Sequence, residues 1–148
     1  MKEWPDYNEN GDLPPGIRQV TLAEVMEHFG QSNFQRQVMA QRLARIYDLS
    51  QSTGQVARFI VYGSFITAKP FPNDVDVFLL MEDTFDSNQL SGESLVVFDH
   101  MACQNYEGAS VFWIRKVAAI GGEHAAVEFW QTKRDGTLRG IVEVTSRD

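Results

Sequence analysis

The stretch from Arg58 to Met81 constrains this chain more than any other. Arg58-Phe59-Ile60-Val61-Tyr62 is β-branched and aromatic, is too short for an ordinary helix, and stops at Gly63-Ser64, which reads as a buried strand followed by a tight turn. Nine residues then separate Ser64 from Asp74-Val75-Asp76-Val77-Phe78-Leu79-Leu80-Met81, which begins as alternating acid and apolar residues and becomes wholly apolar. Such a run predicts a central strand. The alternative, a hairpin whose acidic edge discourages aggregation, fits poorly with Phe78-Leu79-Leu80-Met81.

Glycine at the end of a strand lets the backbone turn sharply and approach a ligand closely, while the Ser64 hydroxyl and nearby amides can donate to phosphate oxygens. Two residues apart on a strand, Asp74 and Asp76 are expected to project from the same face, with Val75 and Val77 on the other. Their mutual repulsion would raise one carboxyl pKa, and a hard divalent ion removes that conflict. Gly63 and Ser64 are therefore candidate phosphate-binding residues, and Asp74 and Asp76 candidate magnesium ligands. Lys69, in the loop between the strands, is a candidate to neutralise a triphosphate, with a solvated loop lysine as the plainer alternative.

Elsewhere, Thr21-Leu22-Ala23-Glu24 has the form of a capping box. It predicts a short amphipathic helix through Leu22, Val25, Met26 and Phe29 that stops at Gly30. Ser32 or Asn33 caps a second helix reaching nearly to Gly54, with an apolar stripe from Phe34 to Leu49 and Arg36, Gln41, Arg42 and Arg45 mostly outside it. A helix is expected around Ser94 to Gln104, a third strand at Ala109–Ile114, and a last strand over Leu138–Val144. Glu123 to Lys133 reads as helix, with a strand over Val127–Thr132 turning at Asp135-Gly136 as the alternative. The fold class is α+β: two N-terminal helices leading into a mixed sheet flanked by helices. Residues 1–18, with Leu13-Pro14-Pro15-Gly16, read as an extended arm, and 19–148 as a single domain.

Composition narrows the chemistry. A balance of 13 basic against 20 acidic residues gives a net charge of −7, which works against duplex nucleic acid as a partner. Metal-neutralised phosphates remain compatible with it. No run approaches the roughly 18 apolar residues needed to span a bilayer, and Met1 to Asp6 carries no signal-peptide core, so a cytoplasmic location is expected. With one cysteine, Cys103, and three scattered histidines, any metal must be held by oxygen. Cys103 reads as a buried small hydrophobe, Trp113 and Trp130 as core, and His28, His100 and His124 as structural or surface groups; Arg115 and Lys116 follow the third strand as solvated cations.

Tyr62-Gly63-Ser64, the nine-residue gap and Asp74-Val75-Asp76-Val77 together resemble the signature of the polymerase-β-like nucleotidyltransferase superfamily. Within it the chain is similar to a small bacterial group of minimal nucleotidyltransferase-like proteins. The resemblance is carried by Leu13-Pro14-Pro15-Gly16, Gly63-Ser64-Phe65-Ile66-Thr67, Pro72-Asn73-Asp74-Val75-Asp76 and Asp135-Gly136-Thr137-Leu138-Arg139-Gly140-Ile141, and it covers nearly the whole chain. It implies a small nucleotidyltransferase fold and transfer of a nucleoside monophosphate from an NTP, ATP first, to an acceptor that is a protein, a tRNA or a small molecule. Asp74 and Asp76 would be catalytic through up to two magnesium ions, with manganese as substitute. Superfamily enzymes commonly place a third carboxylate on a later strand, where this chain has Ser110. Asp99 and Glu107 are the nearby acids that would have to replace it. The substitution opens a second reading, a catalytically degenerate binding or regulatory module, such as one half of a toxin–antitoxin or defence pair.

Overall fold

The computed structural model describes residues 3–148; Met1 and Lys2, the start of the expected arm, lie outside the described residues. The fold is α+β, built on a five-stranded mixed sheet of β1 (Ile17–Thr21), β2 (Val56–Tyr62), β3 (Val75–Met81), β4 (Ala109–Arg115) and β5 (Ile141–Ser146). The strands lie in the order β1-β5-β2-β3-β4, with β1 parallel to β5, β3 parallel to β4, and β2 antiparallel to both of its neighbours.

The capping box forms as its spacing requires. Thr21 Oγ1 accepts from the Glu24 amide at 3.1 Å, and the Thr21 amide donates to Glu24 Oε1 at 2.8 Å, opening α1 (Leu22–Phe29). Asn33 rather than Ser32 caps α2 (Phe34–Gln51), accepting from the Arg36 amide at 2.9 Å. The helix expected over Ser94 to Gln104 is two, α3 (Gly92–Val97) and α4 (His100–Glu107). The break at Phe98–Asp99 has tertiary causes. The Phe98 carbonyl accepts from Trp113 Nε1 at 2.9 Å, and the Asp99 carboxylate restarts the helix by capping the Ala102 amide.

Both readings of the region after Gly121-Gly122 are partly realised. Glu123–Glu128 is a helix, α5, and Phe129–Gln131 a single tighter turn, after which Thr132 bridges Leu138 across a loop closed at Asp135-Gly136. The last strand starts at Ile141, three residues later than expected, because Leu138 belongs to that bridge.

Alternation along the strands divides the molecule into two faces. Val75, Val77, Leu79 and Met81 of β3 pack with Leu22, Val25, Met39, Leu43, Ile46, Val97 and Cys103 of α1–α4 in the main core. Asp76, Phe78 and Leu80 take the other face, where Ile60, Tyr62, Phe78, Leu80, Ile141 and Val127 of α5 form a smaller core with Trp130 packed against it. This second, thinly covered face carries the site.

Candidate functional site

Register places three residues side by side. Asp76 pairs with Tyr62 across the antiparallel β2–β3 ladder and with Ser110 across the parallel β3–β4 ladder. Gly63, directly after Tyr62, has φ of 82°, and a Cβ there would fall on the Asp76 carboxylate. Glycine is thus required twice over at this position: the backbone is left-handed, and the closest group is the acid it turns past. Ser64 opens the short turn Ser64–Ile66, and its carbonyl accepts from the Thr67 hydroxyl at 2.7 Å.

The nine-residue gap is held from α2. Arg36, expected outside the apolar stripe, is only 5% exposed: Nη1 donates to the carbonyls of Phe29 and Phe65, and Nη2 to those of Thr67 and Lys69, at 2.6–3.0 Å. Its burial is explained by those four acceptors, three in a loop too tight to give them strand or helix partners and one at the end of α1. Asn33 Nδ2 and Gln35 Nε2 add bonds to the carbonyls of Pro70 and Pro72, both at 2.8 Å.

Asp74 lies in the bend just before β3 rather than on the strand, so the same-face geometry expected for a strand pair is not what relates it to Asp76. It lines a pocket of about 410 Å³ with Asn73, Arg42 and residues at the end of α4. Asp76 lines a larger cleft of about 630 Å³ over the second face, and Gln104 borders both. The carboxylates remain electrically coupled. Burial, and after it the charge of Asp74, push the Asp76 carboxyl up to about 7 against a smaller opposing pull from Arg139. Burial and then Asp76 raise the Tyr62 phenol as well.

Lys69 is exposed and lines neither cavity; its backbone, not its ammonium, is engaged, by Arg36 and Thr67. Of the acids weighed as a third carboxylate, Asp99 is the α4 cap, while Glu107 accepts two bonds from Arg45 Nε at 2.7 and 2.8 Å. Among the described residues, no cluster of three or more His, Cys, Asp or Glu side chains comes together. Magnesium, which keeps several waters and is commonly held by one or two carboxylates plus substrate phosphates, suits the pair that is present.

The chain matches, over residues 5–145, a family described as "Family of unknown function (DUF6932)". The chain belongs to DUF6932. No curated protein and no solved structure matches it.

Sequence reasoning missed several groups that the cleft of this DUF6932 protein gathers beside Asp76: Tyr62, His100, Phe112, Trp130 and Arg139. Trp130, read as core, does pack on Phe78 at 5.1 Å, but it also forms cleft wall. Arg139 stood within the final motif Asp135–Ile141, whose spacing the fold now explains. Asp135 accepts from the Thr137 amide and hydroxyl, Gly136 turns with φ of 86°, and Gly140 packs where a Cβ would strike the Pro14 carbonyl. Leu13-Pro14-Pro15-Gly16 and the final motif are two sides of one contact, through Gly140 N to Leu13 O at 2.8 Å and Ile141 N to Gly16 O at 3.0 Å.

Proposed function

We propose that the chain is a magnesium-dependent nucleotidyltransferase that moves a nucleoside monophosphate from an NTP to a hydroxyl-bearing acceptor in the cytoplasm, releasing pyrophosphate. The observation that carries this reading is the contact between the Gly63 backbone and the Asp76 carboxylate, with Asp74 close enough to disturb its ionisation. A glycine turn beside one acid, with a second acid near enough to act on it, supports this reading. Gly63 and Ser64 present backbone and hydroxyl donors to the triphosphate, and Asp74 and Asp76 supply carboxylate oxygens to magnesium, with manganese as substitute. The bound ion would neutralise the triphosphate and stabilise the departing oxygen. No helix among the described residues is long and apolar enough to cross a membrane.

Ser110 favours a second reading. It occupies the strand position beside Asp76, where it cannot act as a base at neutral pH, and Asp99 and Glu107 are committed to other partners. A domain built this way could bind magnesium–NTP without turnover, as the ligand-sensing half of a toxin–antitoxin or defence pair. Incubation with labelled NTPs, magnesium and cell lysate separates the two. Transfer of label that falls to background in Asp76→Ala supports the transferase. Magnesium-dependent NTP binding without transfer supports the sensing module, and transfer unaffected by Asp76→Ala contradicts the assignment of the site.

A further inference from the structure

The cleft reaches well beyond the proposed phosphate cradle. Asp76 is the one residue they share, since Gly63, Ser64, Lys69 and Asp74 do not line the cleft. Its walls carry two kinds of group. A strip of rings runs along it: Trp130 lies 4.5 Å from Tyr62 at 33° and 5.7 Å from Phe112 at 24°, and His100 stacks on Phe112 at 4.3 Å and 21°. Phe112, at 43% exposure, leaves this strip open to a ligand.

Cations make up the second kind. Lys133 is already paired with Asp12 at 2.9 Å, whereas Arg134 and Arg139 make no ion pair among the described residues. The Arg139 Nε is buried with no hydrogen-bond partner. Asp76 is the only acid among the described residues that line the cleft, and although Arg139 draws on its charge neither guanidinium forms an ion pair with it, so positive charge is in excess there. A buried donor without an acceptor is unfavourable, and an anion bound on this guanidinium would offset that cost.

We propose that this cleft binds a small ligand combining a flat aromatic ring with one anionic group, phosphate or carboxylate, the ring lying along Phe112 and Trp130 and the anion on Arg139 with Arg134 nearby. A guanidinium fork matches both anions with paired hydrogen bonds, and aromatic walls hold a ring at little entropic cost. The volume of about 630 Å³ falls within the roughly 300–1,000 Å³ typical of small-molecule sites. Binding follows from the cleft alone. That the ligand is the acceptor rests on the transferase reading, because Asp76 is where cleft and cradle meet. In that step the acceptor's hydroxyl oxygen bonds to the α-phosphorus, the bond from that phosphorus to pyrophosphate breaks, and the hydroxyl proton passes to water.

Calorimetry on the full chain without magnesium or NTP tests the binding, using phenyl phosphate, benzoate and adenosine monophosphate against inorganic phosphate and adenosine. At least one of the first three should bind about tenfold or more tightly than either control, and the better of phenyl phosphate and benzoate identifies the anion. Arg139→Gln should weaken that binding about tenfold, Arg134→Gln less, and the accompanying change in tryptophan fluorescence should vanish in Trp130→Phe. Circular dichroism and urea midpoints establish that each variant folds, and Arg134→Gln, at an exposed position, keeps the test open if Arg139→Gln does not. Ring-bearing anions that bind no better than inorganic phosphate, or binding unchanged in the folded arginine variants and in Trp130→Phe, would overturn the proposal. Probe binding without label transfer retains this proposal and removes the transferase; label transfer without probe binding does the reverse.

Discussion

Alanine at position 63 would have to adopt a φ of 82° and displace the Asp76 carboxylate. Gly63→Ala should therefore destabilise the protein by about 1–3 kcal/mol in urea unfolding, from the left-handed backbone and the clash together. Gly63→Ala and Asp76→Gly should be non-additive, with Gly63→Ala costing less in the Asp76→Gly background. Asp76 itself makes stability depend on pH. Its carboxyl is raised from 3.8 to about 7, so across that interval the folded state keeps a proton that the unfolded chain has released. The contribution of this group to stability accordingly falls as pH rises from about 4 to about 7 and is flat above. Asp76→Asn should remove that slope, so that its urea midpoint exceeds the wild-type value by more at pH 7.5 than at pH 4.5; an equal difference at both would contradict the burial assigned to Asp76. That Gly63 and Asp76 meet was legible from the strand, glycine turn, nine-residue gap and second strand taken together, since a Gly-Ser turn or a pair of acids at a strand end is common by itself. Arg139 was not legible, since an arginine in a polar turn looks solvated until the fold closes over it.

At the scale of elements, the loop between β2 and β3 depends on one helix. Removing the Arg36 guanidinium leaves four carbonyls without their donor, so Arg36→Met should cost about 3 kcal/mol or more. Amide exchange should accelerate in residues 65–72 before it does in the β2 and β3 cores, and equal acceleration throughout would contradict a local role. Here the sequence misleads in a specific way. Helical spacing puts Arg36 outside the stripe, and the path of a loop 29 to 33 residues further along the chain supplies three of the four acceptors that draw it inside. The break between α3 and α4 has the same kind of origin, an indole N–H from β4 taking the carbonyl that a continuous helix would have used. Long periodic elements such as α2 and β3 were readable because their patterns are local.

Across the whole molecule, the N-terminal arm serves as part of the fold. It contributes β1, an edge strand that Ile17-Arg18-Gln19-Val20-Thr21 barely signals alone, because the pairing partner β5 lies at the other end of the chain. Just before β1, Leu13 is 2% exposed and its carbonyl accepts from Gly140. Leu13→Ala should cost about 2–4 kcal/mol and speed amide exchange in the bridged segment from Thr132 to Arg139, which closes the cleft. Loss of stability without that local loosening would detach the arm from the site. At this scale too, the central claim is that the glycine turn after β2, Asp74 just before β3 and Asp76 on it form a magnesium–nucleotide site. Calorimetric titration with NTP, with and without magnesium, tests it most directly. The account predicts NTP binding that requires magnesium and is lost in Asp76→Ala; no magnesium-dependent NTP binding, or binding indifferent to Asp76→Ala, would contradict it.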